Sequence, residues 1–264
     1  MAGPNIWEGI ATLVCDLDGV VYLGDEGVAG SGAALRAIQD AGVEVIFATN
    51  NSTRTPQQVA AKIAATAGFA ADPAAVVGSA QVTAARLAGQ VETAFVVGGA
   101  AITVALAEVG IATTDVWQDA GAVVVGLDTS ITYDKLASAT LALNSGALFY
   151  ATNTDSTYPT PQGLLPGGGV MVGALAIASG RQPVVSGKPE PAMAQHIATR
   201  ADGPFLVVGD RPETDVALAI TVGWASALVL SGVTRRLEEV PFALAPDIVV
   251  GSLADLAGLL PATR

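Results

Sequence analysis

Four short polar clusters hold most of the residues able to do chemistry. Asp16-Leu17-Asp18-Gly19 places two carboxylates at i and i+2 directly after the apolar run Thr12–Cys15. Gly19 permits the sharp turn that would present them. At this spacing one carboxylate can act as a nucleophile while the other moves protons. Gly209-Asp210-Arg211-Pro212-Glu213-Thr214-Asp215 adds further acids after the run Phe205–Val208. Thr49-Asn50-Asn51-Ser52 supplies a hydroxyl, amides and backbone N–H donors, and Lys188 in Ser186-Gly187-Lys188-Pro189 supplies a point positive charge. Both suit a phosphoryl group. Plainer readings compete with each: an Asp-Gly turn at 18–19, an acidic helix start at Asp215, a helix-entry loop at 49–52, a solvated lysine at 188. Three acids in one crevice repel, each pair by about 4 kcal/mol at roughly 4 Å and an effective dielectric near 20. A divalent cation relieves that repulsion. An oxygen donor set without a His/Cys set suits Mg²⁺ rather than Zn²⁺.

The elements that must position these clusters are short apolar runs alternating with helical stretches. Val43–Ala48 precedes Thr49, Val184-Val185 precedes Ser186, and Ala227–Leu230 and Ile248–Val250 follow the acidic cluster. Runs this apolar, without alternation, predict strands buried on both faces of a parallel sheet. Ser31 is expected to cap a helix carrying Leu35 and Ile38 that ends at Gly42. Thr55 and Pro56 open a second helix with Val59 and Ile63 inward, and Pro189 and Pro191 open a third through Met193 and Ile197. In the middle of the chain, Ala94–Val97, Ala122–Val125 and Leu148–Ala151 read as strands. Helices near Ile102–Val109 and Lys135–Leu143 separate them, and a Pro-, Gly- and Thr-rich loop runs from Asn153 to Gly169. The fold class is therefore α/β: a doubly wound, Rossmann-like parallel-sheet core of 1–80 and 183–264, with an α/β domain inserted at 81–182. In an open sheet of this kind the carboxyl ends of the strands line the ligand crevice, so Asp16, Thr49, Lys188 and Asp210 are expected to converge.

Taken together and in order, Asp16-Leu17-Asp18-Gly19-Val20, Thr49-Asn50, Gly187-Lys188-Pro189 and Gly209-Asp210…Thr214-Asp215 resemble the four motifs of the haloacid dehalogenase superfamily. The sequence is most similar to the branch of NagD-like and 4-nitrophenyl phosphatases, which carries a large (C2-type) α/β cap between the second and third motifs. The stretch from Ala151 to Gly169 also looks like that branch. The resemblance implies a Mg²⁺-dependent phosphatase that hydrolyses small phosphomonoesters through an aspartyl-phosphate. Asp16 would be the nucleophile and Asp18 the acid and base. Asp16, Asp18 (through its backbone carbonyl) and Asp210 would hold the metal, supported by Asp215. Thr49, Asn50, Lys188 and, more weakly, Asn51 would bind phosphoryl oxygens. In capped relatives a cap loop reaches over the leaving group, which singles out Asp155 and Tyr158 here. Glycerol phosphate, phosphoglycolate, pyridoxal phosphate, sugar phosphates and nucleotides are the candidate substrates. A phosphomutase, a dehalogenase or a non-catalytic phosphometabolite-binding protein are the alternatives. Asp18 weighs against dehalogenation because a halide needs no proton, and the full acid set weighs against a mere binding module.

Composition narrows the partners. The 264 residues carry 24 acids against 12 bases, a net charge of −12, which weighs against duplex nucleic acid as a main partner. No apolar run approaches the ~18 residues of a membrane span. The N-terminal residues through Trp7 lack a basic, apolar leader, so a cytoplasmic location is expected. A homodimer is left open by the resemblance. The single cysteine, Cys15, excludes an intrachain disulfide and is expected to be a small buried hydrophobe, and His196, the only histidine, a packing or surface residue. There is no G-x-S-x-G elbow, and Gln182 and Pro189 break any Walker A reading around Gly187-Lys188.

Overall fold

The computed structural model describes residues 5–160 and 163–261. The start of the N-terminal stretch read above for a leader lies outside the described residues. The chain divides into two compact units, Met1–Ala48 with Pro56–Val77 and Lys188–Arg264, and Thr49–Thr55 with Gly78–Gly187.

The first unit is built on a six-stranded sheet in the order Ile248–Val250, Ala225–Val229, Phe205–Gly209, Thr12–Cys15, Glu44–Thr49, Val76–Gly78. The first five strands run parallel to their neighbours. Every residue of Thr12–Cys15 and Phe205–Gly209 is buried, as strands covered on both faces must be. Leu13, Cys15, Phe47, Leu206 and Val208 pack with Leu35, Ile38 and Ile63 from the helices Ser31–Asp40 and Pro56–Ala67. Each fully buried Leu or Ile contributes roughly 1.5–3 kcal/mol. Helices Pro191–Ala198, Ala217–Val222 and Leu253–Ala257 complete the unit.

The second unit has its own five-stranded sheet, ordered Val184–Val185, Leu148–Ala151, Ala122–Val125, Thr93–Val97, Ala112–Thr113, with all pairs parallel. Helices Ala100–Glu108 and Tyr133–Asn144 fall where the periodicity predicts them. Two more are Ser79–Leu87 and Gly168–Ser179, the second rich in Ala and Gly with little amphipathic signal.

Three expectations are corrected. Val184-Val185 joins the second sheet, pairing Val184 with Tyr150 and Val185 with Ala151, rather than the core sheet. A two-residue apolar run fits either sheet, and long-range pairing decides. The core's edge strand is instead Val76–Gly78. Ser31 does not cap its helix: Gly30, at φ 77°, holds that position, and the Ser31 hydroxyl donates to the Val21 carbonyl at 2.9 Å. The stretch from Asn153 to Gly169 is not all loop. Thr157–Thr160 and Gly163–Pro166 form an antiparallel hairpin, with Tyr158 opposite Leu165, while residues 161 and 162 between them lie outside the described residues.

Candidate active site

The site in the first unit follows from strand adjacency. Thr12–Cys15 pairs with Phe205–Gly209 so that Cys15 lies beside Val208, and the Asp16 N–H donates to the Val208 carbonyl at 2.9 Å. Asp16 and Asp210 therefore leave neighbouring parallel strands at the same edge. The turn Pro212–Val216 folds Asp215 back: its N–H donates to the Arg211 carbonyl at 2.9 Å, and its Oδ2 accepts the Arg211 N–H at 3.2 Å. The carboxylates of Asp16, Asp210 and Asp215 then offer oxygens that all lie within 4.8 Å of one another.

Lys188 enters the same ring. Its Nζ donates to Asp16 Oδ1 at 2.5 Å, to Asp215 Oδ1 at 2.6 Å and to the Ala48 carbonyl at 3.0 Å, with 3% of its side chain exposed. Burial alone would lower the ammonium's pKa, but Asp16 and Asp215 outweigh it and drive it up. One cation does not balance three acids. Burial pushes the Asp16 carboxyl well above the usual range, Lys188 opposing and Asp215 and Asp210 adding to it. Burial, then the Asp215 charge, pushes Asp210 up to about 7. The arrangement is short of positive charge, and its hard oxygen donors fit a divalent cation of the Mg²⁺ type.

Asp18 is half-buried in the turn that follows Asp16. The Gly19 N–H donates to the Tyr22 carbonyl at 2.8 Å, and Gly19 adopts φ 88°. A Cβ there would stand 2.3 Å from Asp210 Oδ2, and one at Gly232 only 2.0 Å from the same atom. The segment Ser231–Thr234 thus wraps Asp210. The Val233 N–H donates to Asp210 Oδ2 at 2.6 Å, and the Ser231 hydroxyl donates to the Gly19 carbonyl at 2.7 Å. Sequence reasoning missed this segment. The signal was available, since Ser231-Gly232 is the polar break after an apolar strand, the position that singled out the other clusters.

In the second unit, Thr49 Oγ1 accepts the Asn51 N–H at 3.1 Å, and Asn50 Nδ2 lies 3.2 and 3.3 Å from the two carboxylate oxygens of Asp155. Asn51 spends its Oδ1 locally, on the N–H and hydroxyl of Thr53 at 3.0 and 2.7 Å. Tyr158 is half-buried on the hairpin three residues beyond Asp155. Cys15 is fully buried, and burial followed by the Asp16 charge raises its thiol pKa, which leaves it a packing residue. His196 lies on the helix Pro191–Ala198.

A family model described as haloacid dehalogenase-like hydrolase matches residues 13–112, and a second, HAD-hydrolase-like, matches 185–256. The chain is 38% identical to the 5'-nucleotidase YutF of Bacillus subtilis, over 91% of this chain and 94% of that protein. Among solved structures it is similar to a glycerol phosphate phosphatase from Mycobacterium tuberculosis in complex with magnesium. That match has TM-score 0.88 and 36% identity, and covers 96% of this chain and 78% of the other. It is also similar to a p-nitrophenyl phosphatase from Archaeoglobus fulgidus, at TM-score 0.89 and 28% identity, over 96% and 100% of the two chains.

Proposed function

The chain belongs to the haloacid dehalogenase-like hydrolase family, and from that premise we propose that it is a Mg²⁺-dependent phosphatase of small phosphomonoesters. The observation that carries the reading is the buried ring of Asp16, Asp210, Asp215 and Lys188 at the edge of two adjacent parallel strands. Phosphoryl transfer needs in-line positioning and neutralised oxygen charge more than covalent chemistry from the protein, and such a ring is suited to both. Asp16 attacks phosphorus, forming an Asp16–phosphorus bond as the bond to the leaving oxygen breaks. Asp18 gives that oxygen its proton. Asp18 then takes a proton from water, whose oxygen displaces Asp16 and releases inorganic phosphate. Lys188 spreads its charge over Asp16 and the phosphoryl oxygens, and Thr49 and Asn50 donate to those oxygens. Asp16, the Asp18 carbonyl and Asp210 would hold Mg²⁺, with Asp215 beside them. When bound, Mg²⁺ supplies the positive charge that this ring lacks.

The second unit is read as the cap that selects the leaving group, with Tyr158 on its hairpin and Asp155 in the loop just before it. The names of relatives, one for a nucleotide and one for glycerol phosphate, support a substrate among small phosphorylated metabolites. Among the described residues no helix is long and apolar enough to cross a membrane. A cytoplasmic location belongs to the same reading.

The test is hydrolysis of 4-nitrophenyl phosphate. Excess chelator should abolish it and Mg²⁺ restore it, with sustained release of inorganic phosphate. Full activity in metal-free buffer would defeat the assignment, and phosphate retained on a second position of the product would favour a mutase. A panel of phosphorylated metabolites then ranks the substrates.

A further inference from the structure

We propose that Ser79 and Asn153 are positioning residues for the phosphate-binding loop at Thr49–Ser52, an inference that rests on the phosphatase reading above. Neither belongs to the four motifs. Ser79 opens the helix Ser79–Leu87, and Asn153 follows the strand Leu148–Ala151. They are 0% and 5% exposed. From these two places both side chains reach one atom. The Ser79 hydroxyl donates to the Asn50 carbonyl at 2.8 Å, and Asn153 Nδ2 donates to the same oxygen at 2.7 Å.

A peptide carbonyl has two lone pairs, and here buried side-chain donors take both. The peptide that joins Asn50 to Asn51 cannot rotate without leaving two buried donors unpaired, which is a large penalty for a loop. The other end of that peptide is the Asn51 N–H, which donates to Thr49 Oγ1 at 3.1 Å. Fixing the carbonyl therefore fixes the N–H, and the N–H fixes the Thr49 hydroxyl as an acceptor on that side. Its O–H hydrogen is then left to donate to a phosphoryl oxygen. Asn153 is itself held, because its Oδ1 accepts the Asp155 N–H at 3.1 Å, and the Asp155 carboxylate accepts from Asn50 Nδ2. One network thus sets both donors of the loop, the Thr49 hydroxyl and the Asn50 amide. A phosphate whose donors are pre-set meets less ordering cost on binding.

The experiment compares wild type, Ser79→Ala, Ser79→Thr and Asn153→Leu, with Thr49→Val and Asn50→Ala as controls. Inorganic phosphate is the competitive inhibitor, 4-nitrophenyl phosphate the substrate, and melting temperature is read in parallel. Losing one of the two donors should weaken phosphate inhibition and raise KM together, by about fivefold to tenfold, the usual worth of one hydrogen bond to a group that must stay aligned. The kcat for this good leaving group should change by less than about threefold, since Asp16 and Asp18 are untouched. Ser79→Thr, which keeps the hydroxyl, should return phosphate inhibition to within about twofold of wild type. Unaltered phosphate inhibition in folded Ser79→Ala and Asn153→Leu overturns the proposal. So does a loss that disappears on cooling in step with melting temperature, because that is what a purely structural role would give. If Thr49→Val and Asn50→Ala weaken phosphate inhibition while the other two do not, positioning alone fails. If none of the four does, the reading of this loop as a phosphate site fails with it.

Discussion

Each of the two parallel sheets places a buried aspartate just past the carboxyl end of an internal strand, yet the two sites are wired in opposite ways. In the second unit, Asp128 lies three residues beyond Ala122–Val125 and is 3% exposed. Its Oδ2 accepts from Lys135 Nζ at 2.6 Å, and its Oδ1 accepts from the Ser130 N–H and hydroxyl, both at 2.9 Å. Burial would raise the Asp128 pKa, but Lys135 and Ser130 outweigh it and hold it below the usual value. In the first unit Lys188 pairs with Asp16 and Asp215, Asp210 stands beside them, and Asp16 and Asp210 are both pushed upward. Asp128 and Asp210 are alike in exposed surface, but more protein surrounds the Asp16 ring, and the outcome has the opposite sign. Position at a strand end is therefore not what separates a working site from a structural one. Charge balance is: Asp128 has its charge and hydrogen bonds met locally, while the Asp16 ring is short of positive charge.

The largest expected effect tests that division directly. Asp16→Asn should cost at least about 10³-fold in kcat on 4-nitrophenyl phosphate, since it removes the nucleophile while keeping the shape. Asp128→Asn should stay within about threefold of wild type, because its charge serves only its own loop. A folded Asp128→Asn enzyme as inactive as Asp16→Asn would break the comparison.

The next effect is on stability. Asp210, pushed up to about 7, binds a proton more tightly in the folded chain than in the unfolded one. Between its ordinary pKa near 3.8 and about 7 the folded state holds the extra proton, so metal-free stability falls as pH rises through that window and is flat above it. Removing the acid should relieve the penalty. Metal-free Asp210→Asn should be more stable than wild type at pH 8, by on the order of 2–4 kcal/mol, and the gain should shrink toward pH 5. Activity should be lost in the same variant. Thermal melts in chelator at the two pH values decide this, and a variant less stable than wild type at pH 8 would show that Lys188 already balances the ring.

How much of this could be read from the sequence depends on what kind of interaction set each feature. The strands Thr12–Cys15, Phe205–Gly209 and Leu148–Ala151 were legible because burial on both faces leaves an unbroken apolar run. The acids of the ring were legible because carboxylates right after such runs have no apolar reason to be there. Val184-Val185 was placed in the wrong sheet because two residues carry no register. The hairpin holding Tyr158 read as loop because Gly and Pro mark its ends and its interior alike. Ser79 and Asn153 act through hydrogen bonds to backbone, which neither periodicity nor charge marks, while Ser231–Thr234 carried only the polar break after its strand.

The smallest effect comes from the balanced site. Lys135 is 30% exposed, so solvent screens its pair with Asp128 and discounts what the pair can contribute. Asp128→Asn should lower stability by about 1 kcal/mol at pH 7, as a partly screened pair with two further hydrogen bonds suggests. The sign of its pH dependence is opposite to that of Asp210. A carboxyl held below its unfolded pKa adds stability that is fully present above the unfolded value and is lost as pH falls through the lower, folded value. The gap between wild type and Asp128→Asn should thus be constant from pH 8 down to about 5 and close only in stronger acid, where Asp128 is protonated in both states. The Asp210→Asn gap changes over the window just above, between about 4 and 7, and in the other direction. Urea melts of the two variants across pH 3 to 8 would place both curves on one axis. Two curves bending the same way would mean that the aspartates are held by the same physics, and that charge balance does not distinguish the sites.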